Sequence, residues 1–137
     1  MKYALIDDPT PYSGSKKRIN IGDYFQMNAL GGYIQTFIEE NVIFLKMEDI
    51  RTYEGEEVLL PIQWSPFYPL YMEGNKIAIS PAIHPLFISV HLSAEHKEEY
   101  FNPYNIAYLK AASPIGCRDE VTMDVLRSYG IESYLVG

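Results

Sequence analysis

The stretch from Pro114 to Val136 constrains the fold more tightly than any other part of this sequence. A short apolar run, Ile115-Gly116-Cys117, leads into a polar turn, Arg118-Asp119, and then into a helical pattern from Val121 to Tyr129. Gly130 stands where helices favour a left-handed residue just past the last turn, and Ser133 to Val136 reads as another strand. The start of a helix presents free backbone N–H groups and the positive end of a dipole. The Arg118-Asp119 turn is therefore a place where an anion or a sugar hydroxyl is welcome.

The rest of the chain repeats this alternation. Tyr3 to Ile6, Val42 to Phe44, Val58 to Trp64 and Pro85 to His91 read as strands, the last being β-branched, aromatic and bounded by proline. Lys76 to Ile79 is a further alternating candidate. After Asn20-Ile21-Gly22-Asp23, the residues Tyr24, Met27, Leu30, Ile34 and Phe37 recur at helical spacing. Gly31-Gly32 within that pattern weakens the helix, which suggests close packing against a sheet. Asn102-Pro103 caps a helix carrying Ile106, Leu109 and Ala112. Met47 to Ile50 forms a turn or short helix, and the proline-rich Ser65 to Tyr71 reads as an irregular loop over the domain edge. Strands that alternate with helices predict an α/β fold, a Rossmann-like lobe with a mostly parallel sheet flanked by helices.

Composition narrows the possible classes. With 137 residues, 47 % hydrophobic and 21 % charged, the chain is one globular domain rather than a disordered segment. A net charge of −7 without a basic stripe argues against nucleic acid as a partner, because phosphate neutralisation dominates that affinity. One cysteine excludes an internal disulfide and fits a reducing cytosol. No apolar run approaches the ~20 residues of a membrane span, and the N-terminus is apolar for too few residues to be a signal peptide. The 12 tyrosines suit half-buried surfaces, sugar stacking or an interface.

Three pieces of sequence, in this order and spacing, carry a family resemblance. They are Asn20-Ile21-Gly22-Asp23-Tyr24-Phe25-Gln26, Pro85-Leu86-Phe87-Ile88-Ser89-Val90-His91, and Pro114-Ile115-Gly116-Cys117-Arg118-Asp119 with Thr122, Leu126, Gly130 and Ile131. Together they resemble the polysaccharide pyruvyl transferase family from Asn20 onward. The resemblance implies one half of a GT-B-like, two-lobe enzyme that moves a pyruvyl group from phosphoenolpyruvate to a sugar of a cell-surface or exopolysaccharide precursor. It implies that residues 1–137 are the N-terminal, acceptor-side lobe. In that family the arginine and histidine that grip phosphoenolpyruvate lie mainly in the C-terminal lobe, to which nothing here corresponds. The expectation is a chain that is inactive alone, supplies no catalytic residue and needs no cofactor. It meets phosphoenolpyruvate and the acceptor through the full-length enzyme in the cytoplasm, and self-associates through surface left apolar by the absent lobe. A glycosyltransferase lobe of similar shape and a non-catalytic assembly module using Trp64 to Tyr71 as an interface are the alternatives.

The candidate substrate-binding residues are Asn20, Gly22, Asp23, Gln26, His91, Arg118 and Asp119. Asn20, Gly22, Asp23 and Gln26 sit at a helix entrance, where Gly22 permits close backbone approach, although Asn20 or Asp23 also suits a helix cap. Arg118 suits a bidentate grip on phosphate or carboxylate. Equally, Arg118 and Asp119 suit a structural pair, with Asp119 capping the helix and Thr122 reinforcing it. His91 ends the strongest strand, where parallel sheets gather their ligand sites. His84 and His96 read as solvated, and the three histidines lack the spacing of a metal site. Glu54, Glu56 and Glu57 read as a solvated turn, Lys16-Lys17-Arg18 as part of a surface loop, and Cys117 as a small buried hydrophobe.

Overall fold

Ala4-Leu5-Ile6, Leu60-Pro61-Ile62 and Ile115-Gly116-Cys117 are each buried without interruption, which is the mark of strands covered on both faces. The computed structural model describes residues 1–8, 29–34, 36, 42–92 and 98–136. In chain order the strands are β1 (Lys2–Asp8), β2 (Val42–Lys46), β3 (Val58–Ile62), β4 (Met72–Glu73), β5 (Lys76–Ile77), β6 (Ile83–Phe87), β7 (Ile115–Cys117) and β8 (Ser133–Leu135). The helices are α1 (Pro103–Ala111) and α2 (Glu120–Ser128), with residues 29–34 also helical.

The architecture is α/β, with a mostly parallel central sheet flanked by helices. Its four-stranded part has the order β2-β1-β3-β6, and β7 pairs with β8, all in parallel. A single parallel bridge between Val90 and Cys117 joins the two parts. The antiparallel pair β4-β5 stands apart from them. The chain steps outward from β1 to β2, then returns to the other side of β1 for β3. That reversal is a topological switch point, and the crevices of such sheets open at the carboxyl ends of the strands.

Two prolines sit inside strands, and each is placed where its missing N–H costs nothing. Alternate residues of β3 bond to β6, from Val58 through Ile62, so Pro61 faces β1; there the ladder has already ended at Leu59. Pro85 likewise faces the side of β6 that, among the described residues, pairs with no strand until Val90. The strand therefore begins before the proline and runs over Ile83–Phe87, where its composition predicts Pro85 to His91. Lys76 to Ile79 contributes only the two residues of β5, in a hairpin turned at Gly74, whose φ is 61°.

Asn105, buried inside α1, fastens that hairpin. Its Oδ1 accepts from the Ile77 N–H at 2.9 Å, and its Nδ2 donates to the Asn75 and Tyr100 carbonyls at 2.8 Å each. Asn102 caps α1 by accepting from the Asn105 N–H, with Pro103 in the first turn as the sequence predicts. Ser65 to Tyr71 turns inward instead of lying over the edge. Phe67 and Tyr71 are buried, and Phe67 packs on Tyr100 and Phe101, while Phe101 stacks on Tyr129 with centroids 4.2 Å apart. Much of the tyrosine surplus is thus committed to packing. Among the described residues, no helix is long and apolar enough to cross a membrane.

Within the predicted Tyr24–Phe37 helix, residues 29–34 and 36 are helical, while Tyr24, Met27 and Phe37 lie outside the described residues. A Cβ on Gly31 would lie 3.0 Å from Leu5 Cδ1, in line with close sheet packing, whereas one on Gly32 would meet nothing within 4 Å. Gly116 is the most constrained of the glycines that face backbone, since a Cβ there would lie 2.6 Å from the Ile88 carbonyl oxygen. Gly116→Ala is therefore expected to lower the unfolding free energy by about 2–3 kcal/mol through backbone displacement. Gly32→Ala is expected to raise it by about 0.5–1 kcal/mol through helix propensity. Denaturant midpoints of the two variants check both signs, and an unperturbed Gly116→Ala would contradict the tight junction between β6 and β7.

Candidate functional site

After β6 the chain changes partners within two residues. Ile88 N–H donates to the Ile62 carbonyl at 3.0 Å, and Val90 N–H donates to the Gly116 carbonyl at 2.8 Å. Arg118 N–H completes the junction by donating to the Val90 carbonyl at 2.9 Å. The residues just beyond this junction are His91 on one strand and Arg118 and Asp119 on the other. All three therefore lie at the carboxyl edge of the parallel sheet, and Asp119 is at the same time the N-cap of α2.

Asp119 organises the site. Its Oδ1 accepts from the Thr122 N–H at 2.8 Å, which caps the helix. Its Oδ2 accepts from the Thr122 hydroxyl at 3.0 Å and meets His91 Nδ1 at 2.7 Å. The buried Thr122 oxygen in turn accepts from the Leu92 N–H at 3.0 Å. A carboxylate only accepts, so Nδ1 carries the ring proton and a neutral His91 has its Nε2 lone pair bare. The His91 side chain is 44 % exposed and that of Asp119 34 %, so the dyad is half-sheltered but reachable. Burial opposes the Asp119 charge, yet the bonds from His91 and from both Thr122 donors outweigh it. The net effect holds the carboxyl below the ordinary aspartate range.

Arg118 is exposed, and among the described residues its guanidinium makes no hydrogen bond or ion pair. The structural Arg118–Asp119 pair anticipated as one reading of the sequence is not formed, because Asp119 spends its oxygens on His91 and Thr122. The rest of that reading, Asp119 as a helix cap reinforced by Thr122, describes the geometry. Asn20, Gly22, Asp23 and Gln26 lie outside the described residues, as do Lys16-Lys17-Arg18 and His96. His84 stands in β6 opposite Leu59 rather than among loop residues; its side chain is nonetheless partly exposed, with Nε2 3.5 Å from Glu57 Oε2. Glu54, Glu56 and Glu57 are exposed, and Cys117 is fully buried, its thiol pushed up by that burial.

The pairing of His91 with Asp119, 28 residues apart, is the feature that residue-by-residue reading missed. The available signal was that both residues follow strands entering one parallel sheet. An open depression of about 290 Å³ lies at the opposite, amino edge, between residues 51–54 and 80–82. Two of its lining side chains are tied to backbone within the chain: Ser80 Oγ donates to the Tyr53 carbonyl at 2.6 Å, and Arg51 donates to the Met72 carbonyl at 2.8 Å. Among the described residues, no group of three His, Cys, Asp or Glu side chains is arranged to hold a metal ion. No family model, curated protein or solved structure matches this chain.

The depressed Asp119 value makes part of the stability depend on pH. The contribution is complete above the unfolded-state aspartate value of about 3.9 and is lost as pH falls through the lower folded-state value. Asp119→Asn removes this dependence while keeping the cap. The stability difference between wild type and Asp119→Asn is therefore expected to shrink as pH drops below about 4. Paired denaturation curves across that range provide the check, and a difference that grows with acidity would contradict it.

Proposed function

We propose that this chain is the acceptor-side lobe of a polysaccharide pyruvyl transferase-like enzyme, with its carboxyl sheet edge as one wall of the ligand cleft. In this reading the second lobe of a GT-B-like pair closes the cleft, and the protein works in the cytoplasm on a surface-polysaccharide precursor. The reaction joins two sugar hydroxyls to the central carbon of phosphoenolpyruvate as a ketal. The methylene carbon gains a proton, phosphate leaves with the former enol oxygen, and the two hydroxyl protons are released.

The observation that carries this reading is the carboxylate-anchored imidazole of His91 beside the guanidinium of Arg118 on the adjoining turn, which is unpaired among the described residues. The two groups suit different ligands. Asp119 places negative charge behind His91, which favours a neutral hydroxyl over an anion at that ring. Arg118 carries a fork of donors that matches a phosphate or a carboxylate. A sugar hydroxyl beside an anionic donor is the combination that pyruvyl transfer requires. The assembly-module alternative draws less support, because Phe67 and Tyr71, two aromatic residues of its supposed interface, are buried within this chain.

Titrating the isotope-labelled chain with phosphoenolpyruvate is expected to shift the Arg118 side-chain resonance. Arg118→Gln is expected to weaken that binding about tenfold or more, the scale of one charge-assisted hydrogen bond. A nucleotide-sugar that binds while phosphoenolpyruvate does not would redirect the reading to glycosyl transfer. Pyruvylated sugar formed from phosphoenolpyruvate by the chain alone would overturn the half-enzyme reading.

A further inference from the structure

We infer that His91 is the general base for the acceptor hydroxyl, with Nε2 as the proton-accepting atom and Asp119 as the positioning residue that fixes the ring. This inference rests on the reading above that the carboxyl edge faces a sugar. It assigns a chemical step to this lobe, for which the family resemblance implied no catalytic residue.

Four observations support it. The 2.7 Å contact from His91 Nδ1 to Asp119 Oδ2 dictates which ring nitrogen holds the proton. The Asp119 carboxylate is itself fixed by the Thr122 N–H and hydroxyl, and Thr122 is buried and held by the Leu92 N–H, so the ring is oriented by backbone on both of its strands. The imidazole is 44 % exposed, so a ligand can reach it, and among the described residues Nε2 has no partner. The dyad sits where parallel sheets open to ligands. A carboxylate behind the ring also stabilises the imidazolium that forms on proton uptake, the role such a group plays in hydrolase triads.

The hydroxyl oxygen forms its bond to the central carbon of phosphoenolpyruvate while its proton passes to Nε2. The carbon–carbon π pair takes a proton from solvent acid at the methylene. The imidazolium returns its proton to the phosphate as that C–O bond breaks, and the second hydroxyl closes the ketal and releases its proton to solvent.

The test reads the ring directly and needs no turnover. Nitrogen-15 spectra of the 137-residue chain at pH 8.5, well above the ordinary imidazole value of about 6.5, are expected to show His91 with a protonated Nδ1 and a bare Nε2. In Asp119→Asn the amide still caps α2, but it turns an N–H toward Nδ1 and drives the proton to Nε2. Carbethoxylation of His91 by diethyl pyrocarbonate, mapped by mass, is then expected to slow about tenfold or more. His84, at the far edge of the sheet, serves as the internal control with an unchanged rate. A methyl hexopyranoside is expected to protect His91 in the wild-type chain.

A proton found on Nε2 in the wild type, equal His91 rates in both proteins, or no protection by the pyranoside would each overturn the assignment. Failure of phosphoenolpyruvate to bind, with the tautomer and the protection intact, would sink pyruvyl transfer while leaving His91 as a base for a sugar hydroxyl.

Discussion

Two backbone hydrogen bonds at Val90, one to the Gly116 carbonyl and one from the Arg118 N–H, hold the site of this molecule together. They join a four-stranded sheet to a two-stranded one through a single bridge. The approach is so close that position 116 has no room for a side chain. Everything at the candidate site follows from that junction. It brings the end of the β6 strand line beside the end of β7, so that His91 meets the turn that opens α2. Loosening the junction separates the imidazole from its carboxylate even if every strand survives.

The Asp119 carboxylate is the second constraint, because it has two tasks and satisfies both. One oxygen caps a helix and the other orients a ring. A residue committed to helix capping alone would leave His91 free to rotate and to choose either tautomer. Binding both makes the start of α2 and the functional face of His91 one rigid unit. It also leaves Arg118 outside that unit and, among the described residues, without an ion pair, so an imidazole and a guanidinium sit side by side rather than an Arg–Asp pair.

Much of the architecture was legible in local pattern. The Ile115–Cys117 strand, the Asp119 cap, the α2 helix and the left-handed Gly130, with φ at 73°, follow from short-range rules that act within a few residues. Of the β4-β5 hairpin only the second strand was legible, as the alternating segment Lys76 to Ile79, of which two residues pair. Less legible were features whose cause lies across the chain. Pro85 reads as the boundary of its strand until it is known which side of that strand lacks a paired neighbour. The aromatic run from Ser65 to Tyr71 reads as a loop over the domain edge until Tyr100 and Phe101 arrive to pack against Phe67. Asn105 carries no local hint that it will be buried and will hold three backbone groups of other segments.

The sequence by itself determined the element types, the parallel α/β class and the identity of the polar residues that end its strands, because periodicity, capping and turn chemistry act between near neighbours in the chain. Only the tertiary structure decided who pairs with whom. The His91–Asp119 contact, and an Arg118 and a His91 Nε2 that have no partner among the described residues, depend on strand order and register, and these are set by the packing of distant segments into one sheet. A carboxylate has few lone pairs, and which donors claim them is settled when the strands come together.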